Sequence, residues 1–158
     1  MLLRVSPAAD APALHRELGL TRLIAAGGKG SQSDRAAISS RAAQAHRQAA
    51  IEHFILASGA YETEFDARLY LARLYLERAA ELETLRETPA ASAAYALAHD
   101  EVRQIALLNR RGDFREDEFR ELARRTLMGL GRFRDADCYA PMRNLSHGTR
   151  SHCQSLVL

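Results

Sequence analysis

Apolar side chains recur along this chain at steps of three and four, and no segment alternates with the period of two that a half-buried strand needs. The run "LYLARLYL", Leu69 to Leu76, is interrupted only at Arg73. A helix that is apolar nearly all round is buried on several sides. The pattern therefore predicts a central helix over about 62–87, with Phe65, Leu69, Leu71, Ala72, Leu74, Tyr75, Leu76, Ala79 and Leu82 in the core. Its last turns, "ERAAELETLRE", become amphipathic and acidic, as an emerging end should.

Helix-start and helix-stop residues divide the remainder. Ser6 and Pro7 open a short N-terminal helix with Leu14, Leu18 and Ile24 near one face, and Gly27 and Gly28 stop it. A Gly/Ser linker leads to Ser33, the cap of a second helix running to about Ser58. Its stripe is expected from Ile38, Ala42, Ala45, Ala49, Ile51, Phe54 and Ile55, and Gly59 reads as its C′ residue. Thr88 and Pro89 start a fourth helix, along which Tyr95, Ala98, Val102, Ile105 and Leu108 fall at helical spacing. Gly112 closes it. Asp113 with Glu116 makes a capping box for a fifth, carrying Phe119, Leu122, Ala123, Thr126, Leu127 and Leu130. The expectation is an all-α bundle of four long helices plus a shorter N-terminal one, with short loops and an irregular C-terminal tail. One domain is expected over 1–132, with the helix and linker of 1–33 at its start and the tail over 133–158.

Composition agrees with that class. The 158 residues are 47% hydrophobic and 27% charged, with four prolines and nine glycines, which is globular rather than disordered. Lys29 is the only lysine among 22 basic residues. The net charge of +2 is unevenly spread: +3 over residues 1–60 (seven basic against four acidic), −4 over 61–109 (five against nine) and +3 over 110–158 (ten against seven). That order favours contacts between segments or with an oppositely charged partner. It lacks the strong basic excess of a general nucleic-acid binder, although the basic ends leave non-catalytic nucleic-acid binding as a weaker alternative.

The familiar helical-bundle chemistries lack their parts. No Glu is followed by His three residues later, so a di-iron carboxylate site is excluded, and His-Glu-x-x-His is absent. "GGKGS" at 27–31 fails the P-loop pattern because Gly30 follows Lys29. Cys138, His147, His152 and Cys153 are zinc-type ligands without the close pairing of zinc modules. No metal and no cofactor is expected.

Two resemblances remain. "FRELARRTLMGLGRFRDA" places Phe119, Leu122, Ala123, Gly131, Phe133 and Ala136 like the packing positions of one tetratricopeptide unit, although an array needs about three. "MRNLSHG", Met142 to Gly148, is similar to the Arg-Asn…His-Gly signature of the HEPN family of small all-helical proteins, which includes RNases and nucleotide-binding partners of toxin systems. The resemblance implies that Arg143 steadies a phosphate, His147 assists attack by a 2′-hydroxyl and Asn144 orients them, usually across a dimer interface. Three residues separate Arg143 from His147, where the family has four to six.

With no complete catalytic set, the expected function is a non-enzymatic protein–protein interaction module: an adaptor, assembly subunit or small regulator. Its partner-binding face is expected from Arg110, Arg111, Arg115, Arg120, Arg124 and Arg125, meeting a protein or larger assembly with an acidic surface. A HEPN-like RNase or nucleotide-binding component is the alternative, with a homodimer as its natural form. No secretory apolar region opens the chain, so the two cysteines are expected as reduced thiols in an intracellular, cytoplasmic protein. The Arg-bearing, acid-poor residues 1–42 resemble a mitochondrial transit peptide, which makes the matrix the alternative compartment. No apolar run is long enough to span a membrane.

Overall fold

A computed structural model describes residues 12–26, 41–109, 116–140 and Cys153. Among the described residues the architecture is all-α, as the spacing predicts. The helices are α1 (Pro12–Ala25), α2 (Arg41–Ala57), α3 (Tyr61–Thr84), α4 (Thr88–Asn109), α5 (Glu116–Gly129) and a single turn, α6 (Phe133–Ala136), continued by a 3₁₀ turn at Asp137–Tyr139. The expected caps at Ser6, Ser33, Gly112 and Asp113, and the linker at 27–33, lie outside the described residues. By its internal contacts the chain divides into two compact units, residues 1–67 and 68–158, with α3 running through the division.

In the first unit α1 packs antiparallel on α2: His15 meets His53, and Arg22 meets His46. The contact is built from small residues at heptad intervals, Gly19 and Ala26 on one helix and Ala43, Ala50 and Ala57 on the other, all buried. Small side chains let two helix axes approach closely. The one large insert is Phe54, fully buried, whose ring lies where a Cβ on Gly19 would stand: the distance would be 2.8 Å. This corrects the expected stripes. Leu14, Leu18, Ile24 and Ile55 are 45%, 37%, 69% and 50% exposed, because the close approach selects the smallest residues for the inside and turns the largest out.

The second unit holds most of the large core side chains. Leu69, Leu71, Ala72, Leu74, Leu76, Ala79 and Leu82 of α3 are buried as expected, while Tyr75 is half-buried, as is Phe65 on the stretch of α3 within the first unit. α4 contributes Ala91, Ala94, Tyr95, Ala98, Val102 and Ile105, and α5 contributes Phe119, Leu122, Ala123, Thr126 and Leu127. The Thr126 hydroxyl, fully buried, donates to the Leu122 carbonyl at 2.7 Å. α4 packs on α5, and Gly129 sits under the ring of Tyr95 so closely that a Cβ there would lie 2.2 Å from it.

Two helix ends in this unit close with Schellman geometry. After α3 the Glu87 N–H donates to the Leu82 carbonyl and the Arg86 N–H to Glu83, with Arg86 in the left-handed region at φ 58°. After α5 the Arg132 N–H donates to Leu127 and the Gly131 N–H to Met128, with Gly131 at φ 72°. Gly59, the expected left-handed cap of α2, has no such φ. There the Ser58 hydroxyl donates to the Ile55 carbonyl and the Thr63 hydroxyl to that of Ala57.

The segment after α5 is more ordered than the expected irregular tail. α6 and the 3₁₀ turn both pack on α5, Ala136 is buried, and Tyr139 meets Phe119 edge-on with ring centroids 5.9 Å apart. Phe133, an expected repeat-packing position, is instead 63% exposed.

Candidate functional site

Of the six arginines expected to meet a partner, Arg110, Arg111 and Arg115 lie outside the described residues. The other three stand on α5 and do different things. Arg120 Nη2 donates to the Ala140 carbonyl at 3.0 Å and ties the turn after α6 to α5. Arg124 reaches Glu121 at 4.0 Å, an exposed pair contributing little. Arg125 is exposed, as are Asp117, Glu121 and Met128 at helical spacing from it. Acidic residues toward the N-terminal end of this face and arginines toward the C-terminal end also suit the helix dipole.

Charged groups gather more tightly where α4 meets the end of α5. Arg132 donates through Nε to Asp135 Oδ2 at 2.7 Å and through Nη1 to His99 Nε2 at 3.1 Å. Accepting that bond requires a neutral His99 ring, and burial, reinforced by the charge of Arg132, lowers the His99 pKa. Burial also raises the pKa of the Tyr139 hydroxyl. On another face of α4, Glu101 pairs with Arg68 at 3.0 Å, and both are largely buried. Burial raises the Glu101 pKa even though Arg68 pulls it down, and Tyr75 is raised by burial and then by the charge of Glu101. Arg73 pairs with Glu118 and stacks its guanidinium 5.8 Å above the Tyr70 ring. These pairs join helices. Among the described residues no side-chain polar atom is buried without a partner.

Sequence spacing gives no sign that His99 meets Arg132 or that His15 meets His53. The Arg132–Asp135 pair, at i,i+3, carries a local signal, whereas the partners of His99 and His15 are 33 and 38 residues away.

Arg143, Asn144 and His147 lie outside the described residues, so the HEPN-like arrangement is not among the positions described. The cysteines overturn the expectation of free thiols: Cys138 and Cys153 are joined in a disulfide, with Cα atoms 5.3 Å apart, within the bonding range. The fold supplies the reason at one end, since Tyr139 and Arg120 hold the chain next to Cys138 on α5. The bond also consumes two of the four zinc-type ligands. Among the described residues no group of three or more His, Cys, Asp or Glu is gathered around a point, and no helix is long and apolar enough to cross a membrane.

Compared with protein-family models, curated proteins and solved structures, the chain finds no match in any of them.

Proposed function

We propose that this chain is a non-enzymatic helical interaction module, an adaptor or assembly subunit that works by docking other protein surfaces. The observation that carries the reading is the inversion of α1 and α2, with small residues inside and large aliphatic ones outside. Leu14 and Leu18 stand one turn apart on α1, while Ile55 and Leu56, 50% and 55% exposed, follow the histidine of α2 that touches His15. Four large apolar side chains thus share one end of the helix pair, the kind of surface that marks a protein contact. On α5, Arg124 and Arg125 supply cations for an acidic partner surface.

The native mass tests this. Protein isolated gently from its own source and treated with nuclease is expected to run, by size exclusion with light scattering, as a stoichiometric complex heavier than the 17.5 kDa of this chain. Leu18→Gln with Ile55→Gln should release it at modest cost in stability, since both side chains already stand partly in water. Arg124→Glu with Arg125→Glu should weaken it in a salt-dependent way. A lone monomer overturns the reading.

A further inference from the structure

The α1–α2 contact brings two imidazoles together by their nitrogens. His15 Nδ1 lies 3.1 Å from His53 Nδ1, and the rings stack with centroids 5.4 Å apart and planes 30° from parallel. A single proton satisfies such a contact, one ring donating and the other accepting. A metal ion satisfies it as well. Two imidazole nitrogens each about 2.0–2.1 Å from one ion are separated by about 2.9 Å at a right angle and by about 3.3 Å at the tetrahedral angle. The observed spacing falls between these.

We propose that His15 and His53 form a two-imidazole site for a divalent ion of the Cu²⁺, Ni²⁺ or Zn²⁺ class, which takes the place of the shared proton, the donor ring then carrying its proton on Nε2, and fastens α1 to α2. Nearby charges favour a cation. Arg16, beside His15, is held by Glu17 at 2.7 Å and by Asp66 of α3 at 3.5 Å, so two carboxylates face one guanidinium. Arg22 stands farther along α1, directed at His46. Both histidines are half-buried, which leaves a path from solvent.

With two protein ligands the site is open, and water or a donor atom from another molecule completes the coordination shell. Imidazole donors place Cu²⁺ ahead of Ni²⁺ and Zn²⁺ in affinity. Both rings must be neutral to bind, so affinity rises with pH.

Titration of the full chain with Cu²⁺ and with Zn²⁺ by calorimetry, alongside His15→Asn and His53→Asn, tests the site; circular dichroism establishes that each variant is folded. The expected result is one site in the parent protein, weakened about tenfold or more in each variant. The Cu²⁺ electron paramagnetic resonance spectrum should carry two equatorial nitrogens and lose one in either variant. If His53→Asn unfolds because Phe54 lies next to it, His15→Asn and the nitrogen count still decide. No binding, binding unchanged in either folded variant, or a spectrum without two nitrogens overturns the proposal.

Discussion

Both units set an aromatic ring on a helical glycine and point an arginine at a histidine, but they bury these contacts to different depths. In the first, Phe54 covers Gly19 between helices otherwise joined through alanines, and Arg22 meets His46 at 3.5 Å on the surface. In the second, Tyr95 covers Gly129 beneath a helix end, and Arg132 meets a half-buried His99 at 3.1 Å. Phe54 is purely apolar and adjusts only by repacking. Tyr95 also carries a hydroxyl, whose pKa is raised by burial and then by its interaction with Glu83. A Cβ on its glycine would also come closer to the ring, 2.2 Å against 2.8 Å. Equal sequence changes at the two glycines should therefore have unequal consequences.

Gly129→Ala should be the most damaging single change. Its Cβ would lie 2.2 Å from the Tyr95 ring, and forced overpacking of this kind costs about 3 kcal/mol. Gly19→Ala meets the Phe54 ring at 2.8 Å, and the overpacking is partly offset by the roughly 1 kcal/mol that alanine gains over glycine inside a helix, leaving a net loss of about 1 kcal/mol. Urea unfolding at unchanged m-value checks both. In the double variants Gly129→Ala/Tyr95→Val and Gly19→Ala/Phe54→Val the penalties should fall short of additivity, because each ring and its glycine act as one contact. Additive losses would show that the rings are not what the new methyl groups meet.

These contacts also mark where the sequence stops being legible. The spans of α3 and α4 can be read because proline, threonine and a long apolar run act locally, and most of the α3 core follows from the run alone. The α1–α2 contact could not be read that way. A pattern search looks for the largest apolar residues, whereas a close helix crossing buries the smallest, so Leu14 and Leu18 drew the reading and Gly19 and Ala50 formed the contact. Gly129 carries no local signal of its use, which appears only where the chain brings Tyr95 over it. Of the expected partner-binding arginines, sequence supplied the cluster on α5 but not the inward turn of Arg120, whose acceptor is 20 residues away.

Helix ends sharpen the contrast between the units at smaller cost. Gly131→Ala should lose about 1 kcal/mol although nothing lies within 4 Å of the added methyl, because φ of +72° is left-handed and strains any residue with a Cβ. Gly59→Ala should change stability by no more than about 0.5 kcal/mol, since that φ is not left-handed and the nearest neighbour, the Leu56 carbonyl oxygen, stands at an ordinary 3.5 Å. Thermal or urea unfolding of the two variants side by side makes the comparison. Equal losses would mean that both glycines serve as left-handed caps.

The smallest effect expected is a pH slope confined to the second unit. Burial and Arg132 lower the folded-state pKa of His99 below its ordinary 6.5. As pH falls from 6.5 toward that lowered value, the unfolded chain binds a proton that the folded chain refuses, so stability decreases; above 6.5 the full contribution is present. Glu101 acts with the opposite sign in its own range. Its raised folded pKa means that the folded chain takes up a proton first, so between that value and the ordinary 4.5 stability increases as pH falls. Subtracting the stability profile of His99→Gln from that of the parent protein isolates the histidine. The difference should be flat above pH 6.5 and decline below it, and a difference flat through the acid range would mean that Arg132 does not depend on a neutral His99.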